Sequence, residues 1–525
     1  MDPAHCRIVG ATCLACAVLP AATADPLLSR GAFAAPAGHV QRDSGFATAL
    51  AGIGRLNADA RDELLIGQPG RTVATAAQAG LAWVRGGGWG TELVQIQYAG
   101  AAAGARLGSA VAGAGDVNGD GTRDFLAGAP GANRVLLVYG RAFVPGTVTL
   151  GDRVLSVWWA SAADRYGAAL GGGGDLNGDG LADFAIGAPG SQPLIGQVDA
   201  GRVEVRFGFR DADRNGIPDS GFEQTVTLQE PITAAGARFG HQVCMPGDMD
   251  GDGLSELAVA VPNAGASGAG ELYVYRGTTF PAGLGGSYFW IINPRPVAGS
   301  AFAESLGPAG DVNGDGLADL VVGDPGLGRI DVYPGRRDGF NFVGTELAAP
   351  YGGGAGGFGQ AVAGIGDVDG DGYDEVAVGD PVARIVTVFF GAASGSQAAG
   401  AWQLAGGTDE GFGRSLAGGD WEGSGRHGVV VGAPDSSIGG ASPGAGRYHA
   451  WSPIPAIALS IGFAGASPEI SWAGEANVRY RLLAAPAPAG SWTVQGEYTI
   501  PQGTGVIRVP LAAVAGARFY QVDAR

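Results

Sequence analysis

Between about residue 46 and residue 451 the chain is written in short apolar runs separated by glycine-rich polar turns, and one order of such elements recurs. The stretch Asp116-Val117-Asn118-Gly119-Asp120-Gly121-Thr122-Arg123-Asp124 leads into Phe125-Leu126-Ala127 and then Gly128-Ala129-Pro130. The same order starts again at Asp175, Asp248, Asp311 and Asp367. Nine residues ahead of each first Asp stands an aromatic-Gly or similar pair: Leu107-Gly108, Tyr166-Gly167, Phe239-Gly240, Phe302-Ala303 and Phe358-Gly359. A Gly-x-Pro or Ala-x-Pro triplet begins four residues after the ninth loop position. An alternating β-type run follows it, as in Arg134 to Tyr139, Arg202 to Phe207 and Glu271 to Tyr275.

Two degenerate copies flank these five. Upstream, Phe46-Ala47 leads to Arg55 through Glu63 and Gly67-Gln68-Pro69; downstream, Phe412-Gly413 leads, one residue short, to Asp420-Trp421-Glu422-Gly423-Ser424 and Gly432-Ala433-Pro434. The seven loop starts are spaced by 61, 59, 73, 63, 56 and 53 residues. A period of that length marks a propeller or an array. Each unit reads as strand, acidic loop, strand, Gly-x-Pro turn, strand and a looser fourth strand, which predicts an all-β, seven-bladed β-propeller. The last unit stops after its third strand near Trp451, and Gly31 to Arg42 form a spare segment before the first aromatic pair. That segment is expected to complete the last blade and close the ring.

Composition agrees with a turn-rich β protein. Gly (98) and Pro (30) make up nearly a quarter of the 525 residues, yet 46% of the chain is hydrophobic, too much for a disordered chain. No Gly-X-Y period runs through it, which excludes collagen. The net charge of -18 excludes a nucleic-acid binder and electrostatic docking on anionic lipid. All 32 basic residues are Arg, so lysine-dependent chemistry is absent. Arg7, the apolar run Ile8 to Leu19 and Ala22-Thr23-Ala24 read as an export signal cleaved after Ala24. Residues 1–24 would then leave, taking Cys6, Cys13 and Cys16 and keeping Cys244. No later segment has 18 uninterrupted apolar residues, so no membrane span is expected. Secretion or display at the cell surface follows, with periplasmic retention as the alternative.

The acidic loops carry the chemistry. Oxygen side chains at positions 1, 3, 5 and 9, Gly at 6 and a backbone carbonyl at 7 are what a hard cation of Ca2+ size accepts. The expected ligands are Asp116, Asn118, Asp120, Thr122 and Asp124; Asp175, Asn177, Asp179, Leu181 and Asp183; Asp248, Asp250, Asp252, Leu254 and Glu256; Asp311, Asn313, Asp315, Leu317 and Asp319; and Asp367, Asp369, Asp371, Tyr373 and Glu375. The seventh-position residue in each set offers its carbonyl. An EF-hand needs a Glu at position 12, where these loops have Ala127, Ile186, Val259, Val322 and Val378. The degenerate loops, with Arg55 at position 1 and with Ser424 and Gly428 at positions 5 and 9, are expected to hold no metal. Asp211, Asp213, Asn215 and Asp219 form a further candidate in the longest spacing, an inserted loop similar to the calcium repeats of thrombospondin type 3. About five Ca2+ sites, with a sixth candidate, are predicted.

The aromatic-Gly pair, the Asp-x-Asn-x-Asp-Gly loop and the Gly-Ala-Pro triplet together resemble the FG-GAP repeats of the integrin α-chain head, over about residues 31 to 451. The resemblance implies a seven-bladed propeller with calcium loops on the lower face and ligand recognition on the upper face or rim. The chain departs from integrins in lacking leg domains, an inserted domain and a membrane span, so a receptor role does not carry over. The domains expected are the leader (1–24), the propeller (25–453) and a module over 454–525. In that last part Ala456 to Phe463, Glu469 to Trp472, Val478 to Leu483, Trp492 to Tyr498, Gly505 to Pro510 and Arg518 to Val522 read as strands of a small β-sandwich. It resembles fibronectin-type or immunoglobulin-like modules.

No catalytic constellation emerges. His39, His241, His427 and His449 stand apart in sequence, and neither a Gly-x-Ser-x-Gly turn nor a His-Glu-x-x-His signature occurs. The leading expectation is a secreted binding or adhesion module for an extracellular protein or glycan, not an enzyme. The alternative is a glycan- or phosphodiester-cleaving enzyme on a propeller scaffold, with Trp158, Trp159, Tyr288 and Trp290 as aromatics that could stack on sugars.

Overall fold

The computed structural model describes most of residues 41–453 and the backbone of strands at both ends of the chain. Outside the description lie 1–5, 10–15, 19–26, 35–40, 57–59, 88–92, 97–101, 141–145, 149–153, 159–163, 211–224, 230–233, 280–287, 338–343, 351–355, 438–443, 454–459, 486–492, 511–518 and a few shorter stretches. The chain divides into two compact units: one of Ser29–Gly366 and Tyr373–Trp451, the other of Met1–Leu28, Asp367–Gly372 and Ser452–Arg525.

The larger unit is an all-β, seven-bladed propeller. Its second blade is representative: Val111–Gly115 innermost, then Asp124–Ala129, Arg134–Val138 and Val154–Trp158, each antiparallel to the one before. Seven such sheets follow one another along the chain. The middle strands are buried on both faces, as in Asp124–Ala129, Asp183–Ala188 and Glu375–Asp380, because each blade is sandwiched between two others. That is why they read as unbroken apolar runs rather than as alternation. Helical structure among the described residues is confined to 3-10 turns, the fully described one being Pro130–Ala132. No helix among them is long and apolar enough to cross a membrane.

The recurring pairs and triplets are explained by one backbone junction. In every blade the second residue of the aromatic pair donates its N–H to the carbonyl of the triplet's first residue, as Gly108 to Gly128 (2.9 Å), Gly167 to Gly187 (3.0 Å) and Ala303 to Gly323 (2.9 Å). Its own carbonyl then lies against the triplet glycine of the preceding blade. A Cβ on Gly67 would overlap the Gly108 oxygen, one on Gly128 the Gly167 oxygen, and one on Gly379 the Gly413 oxygen. The aromatic side chains Phe46, Phe239, Phe302, Phe358 and Phe412 are fully buried behind these junctions. Ala47 (φ 67°) and Ala303 (φ 63°) occupy left-handed positions where most blades have Gly.

The ring closes as expected, with a shift in the closing segment. The strand completing the seventh blade is Leu27–Ala34, beside Arg447–Pro453, rather than Gly31 to Arg42; residues 35–40 lie outside the description. Leu27 and Leu28 supply its start, and Phe33 anchors its end. The Phe33 ring stacks on Tyr448 at 5.1 Å, and the Arg85 guanidinium of the first blade sits 4.4 Å from the Phe33 centroid, a cation–π contact joining the first and last blades. A second departure is that the first blade gains a fifth, parallel strand, Gly146–Val148, borrowed from the second blade.

In the smaller unit all six expected C-terminal strands are present, at Ser460–Ala464, Ser467–Glu475, Arg479–Ala485, Thr493–Thr499, Thr504–Pro510 and Phe519–Ala524. They lie in two sheets, one of three strands and one of five. The five-stranded sheet is completed by Cys6–Val9 and Cys16–Val18, with Ile8 opposite Tyr520. Within the segment read as a leader these two apolar stretches are thus extended, since an open sheet edge accepts them as an added hairpin.

Two substitutions test the junction. Gly128→Ala is expected to cost about 1–3 kcal/mol through backbone overlap, read as a lower Tm. Ala303→Gly relieves a left-handed alanine whose strain is about 1–2 kcal/mol and is expected to raise Tm.

Candidate metal-binding loops

Each acidic loop connects the innermost strand of a blade to the next one, so all of them fall at the same end of the propeller. The first Asp folds the loop around itself. Asp175 accepts from the Gly178 (2.6 Å) and Gly180 (2.9 Å) N–H groups, Asp248 from Gly251 (2.6 Å) and Gly253 (2.9 Å), and Asp311 from Gly314 (2.7 Å) and Gly316 (2.9 Å). Asp116 accepts from Asp120 and Gly121, and Asp367 from Gly370 and Gly372. The fifth-position carboxylate accepts from the seventh N–H: Thr122 to Asp120, Leu181 to Asp179, Leu254 to Asp252 and Leu317 to Asp315, at 2.7–2.9 Å. With that N–H turned inward, the seventh residue is held in the turn at the point where its carbonyl was expected to serve. Leu181 lies against Gly119, Leu254 against Gly178 and Tyr373 against Gly314, so in these three a side chain from one loop covers the fourth position of the loop before it, whereas Gly251 is met by Arg337.

The ninth-position carboxylate is the buried member. Asp124, Asp183, Glu256, Asp319 and Glu375 have no exposed surface. In four loops this carboxylate joins the loop to the end of the blade's third strand. Asp124 accepts from Val117 (3.0 Å) and Gly140 (2.7 Å), Asp183 from Leu176 (2.7 Å) and Gly208 (2.8 Å), and Asp319 from Val312 (2.9 Å) and Gly335 (2.7 Å); Glu375 accepts from Gly391 (3.2 Å). Glu256 differs: one oxygen accepts from Met249 (2.6 Å) and the other, Oε1, is buried with no hydrogen-bond partner among the described residues. Burial, followed by repulsion from the neighbouring loop acids, pushes these carboxyls up, Asp124 to about 8, Asp183 to about 7, Glu256 to about 8 and Asp319 to about 7. The backbone N–H donors oppose the shift.

Two of the predicted ligand sets converge on a point. Asp248, Asp250 and Glu256 bring one oxygen each within 4.8 Å of one another, as do Asp367, Asp369 and Asp371. Three or four such carboxylates repel by several kcal/mol per close pair at an effective dielectric near 20, and their hard oxygens suit a divalent cation. In the other three loops the ligand side chains hydrogen-bond along the loop, Asn118 to Asp120, Asn177 to Asp179 and Asn313 to Asp315. The inserted loop with Asp211, Asp213, Asn215 and Asp219 lies outside the described residues, as do positions 3 to 5 of the first-blade loop.

The degenerate loops keep the wiring. In the first blade Glu63 is buried and accepts from Leu56 (2.6 Å), reproducing the ninth-position bond although Arg55 replaces the first Asp. In the seventh, Asp420 accepts from Ser424 (2.9 Å) and Gly425 (2.8 Å) as a first-position Asp does. Successive loops are also tied by backbone. The eighth-position N–H donates to the first-position carbonyl of the preceding blade: Ala182 to Asp116, Ser255 to Asp175, Ala318 to Asp248, Asp374 to Asp311 and, across the closure, Asp62 to Asp420, at 2.8–3.0 Å. This inter-blade relay had no signature in sequence, because any residue can supply a backbone N–H.

The histidines are less isolated than their spacing suggests. His241 accepts from Arg238 at Nδ1 (2.7 Å) and so donates from Nε2 to Glu304 (3.1 Å) in the next blade. His449 Nε2 pairs with Asp409 (2.6 Å), and burial lowers its pKa. Both lie at the end opposite the loops. Trp158, Tyr288 and Trp290 are on outermost strands, and Trp159 is outside the description.

Fold and loops together define a seven-bladed propeller whose blades carry acidic turns at one end. Its repeats are FG-GAP repeats: that family profile matches residues 107–144, 166–204 and 239–275, and the FG-GAP-like repeat profile matches 311–378. Over these residues the chain carries FG-GAP repeats, in a propeller that resembles the one of integrin α chains. It is 31% identical over 245 residues to integrin alpha-V of Gallus gallus, a match covering 44% of this chain and 21% of that one. To integrin alpha-IIb of Homo sapiens it is 33% identical over 162 residues, 30% of this chain and 15% of that one. Its match to integrin alpha-5 of Xenopus laevis is 30% over 234 residues. The chain thus spans about a fifth or less of the length of these relatives.

The raised carboxyls set a pH dependence of the metal-free protein. A carboxyl with a higher pKa in the folded than in the unfolded chain keeps its proton longer when folded, so stability falls as pH rises from about 4 to about 8 and is level above that. Melting in chelator at pH 5 and pH 8 is expected to give the lower Tm at pH 8, and saturating Ca2+ should narrow the difference.

Proposed function

We propose that the chain is an exported, calcium-stabilised propeller that binds an extracellular protein or glycan. The observation that carries this is the segregation of its two ends. One end is committed to acidic loops with oxygen ligands in five blades, tied blade to blade through backbone hydrogen bonds. The four large hydrophobic residues exposed among the described ones, Leu194, Val198, Val297 and Val382, all lie in turns at the other end. Turns carried on a rigid scaffold are where recognition residues are commonly placed. Leu194 and Val198 share the long turn between Asp183–Ala188 and Arg202–Arg206 of the third blade. The likeness to integrin α chains supports the same assignment, and the signal-like pattern of Arg7, the apolar run Ile8 to Leu19 and Ala22-Thr23-Ala24 supports export, with cleavage after Ala24 part of the proposal.

The calcium would be held by the side chains at positions 1, 3, 5 and 9 and the carbonyl at 7, neutralising carboxylates that otherwise repel. A bound ion at about ten times its dissociation constant adds about 1.4 kcal/mol per site. Chelation is therefore expected to lower Tm by several degrees, with about five Ca2+ per chain by elemental analysis before treatment; an unchanged melt and no metal would overturn this. Binding to a panel of extracellular proteins and glycans is expected in Ca2+, without turnover of any of them. Leu194→Asp with Val198→Asp should weaken the best binder at least tenfold while leaving Tm within two degrees or so. Multiple turnover of a panel member would instead establish the enzymatic alternative.

A further inference from the structure

The fourth-blade loop is built differently from the others. Its four acids, Asp248, Asp250, Asp252 and Glu256, match in type those of the sixth-blade loop, Asp367, Asp369, Asp371 and Glu375. Among the five full-loop blades, however, only the fourth has a basic residue just before the glycine that follows the third strand. Arg276 precedes Gly277, where the other full-loop blades have Tyr139, Phe207, Pro334 and Phe390 before Gly140, Gly208, Gly335 and Gly391. Arg276 Nε lies 2.8 Å from Asp250 Oδ2, and Asp250 is 5% exposed against 35% for the arginine. The pair therefore places a guanidinium at the rim of the cluster formed by Asp248, Asp250 and Glu256. A second feature points to a ligand here: Glu256 Oε1, fully buried and unpartnered among the described residues, belongs to the same cluster. A carboxylate oxygen left without a donor at that depth is unfavourable unless a cation completes it.

We propose that Arg276 is a tethered counter-ion for the fourth-blade loop: it holds Asp250 in place when metal is absent and competes with Ca2+ when metal arrives. The inference rests on the calcium reading above and adds a graded response to it. Asp250 occupies the third ligand position, so a cation coordinated there must share or displace the guanidinium. Repulsion between the fixed positive charge and the ion weakens binding at this loop alone. The fourth blade then loads at a higher calcium concentration than it would without Arg276, while remaining folded at low calcium. Arg276 is partly exposed and can swing into water when displaced, so exchange requires no rearrangement of the buried strands.

The test is calcium titration calorimetry on the metal-free full chain, with Tm measured in chelator. Arg276→Gln is expected to tighten one calcium step by at least about fivefold, because it removes a positive charge at near-contact distance from a ligand of the divalent ion. It should also lower Tm in chelator. Arg276→Lys, which keeps the charge, should leave that step within about twofold of the parent. In an Asp250→Asn background Arg276→Gln should change the step by less than in the parent, because its partner carboxylate is gone. Five calcium steps with the Arg276→Gln isotherm superimposed on the parent would overturn this proposal and leave the calcium reading intact. No calcium binding by the parent chain would overturn both.

Discussion

The propeller depends on how closely one blade's backbone can approach the next. At each junction a carbonyl from the start of one innermost strand sits where the side chain of the neighbouring blade's triplet residue would be, as Gly167 does over Gly128. In six of the seven triplets that residue is glycine, whose missing Cβ leaves room for the carbonyl, and the aromatic residue beside it fills the wedge that remains, fully buried as in Phe239 or Phe358. The recurring pair and triplet are thus the two halves of one joint, brought together only in three dimensions. Where both glycines are missing, at Ala260 and Ala303, the same hydrogen-bonding scheme persists with a strained alanine. The geometry is maintained before the residue preference is.

That joint positions the acidic loops. Because each innermost strand starts at a fixed place against its neighbour and runs five or six residues in most blades, every loop emerges at the same height and can bond to the loop before it. The buried ninth-position carboxylate then joins its loop to the third strand. Glu63 shows that the bond from the second-position N–H to this carboxylate outlasts the rest of the ligand set, since it persists beside Arg55. The ninth carboxylate is thus a backbone acceptor first, and Glu256 alone of the five leaves an oxygen unpartnered among the described residues.

Much of this was legible in the order of residues. Repeat count, blade order, the third strands and the places of the acidic loops all followed from offsets, because turn residues and carboxylates have strict positional demands. Less legible was anything built from backbone alone, such as the relay from Ala182 to Asp116, or from long-range pairing without a motif, such as the position of the closing strand. Its start at Leu27 instead of Gly31 had no local signal, since either segment could have been extended. The pairings of His241 with Glu304 and His449 with Asp409 were missed for the same reason: their partners stand 63 and 40 residues away. Arg276 was invisible as a partner of Asp250 because nothing in the repeat reserves a basic residue at that place.

The closing strand gives the fold a particular kinetic character. Leu27–Ala34 must find Arg447–Pro453, some four hundred residues later, before the ring is complete. Bringing such distant segments together carries a loop-closure entropy of roughly 5 kcal/mol, recovered only when the strand pairs and Phe33 seats on Tyr448. Each blade can form locally as it is made, but the joint between the first and last cannot. The propeller is consequently a structure of high contact order whose final step ties its two ends together, so the unit becomes cooperative as a whole at the moment its first-made strand is used last.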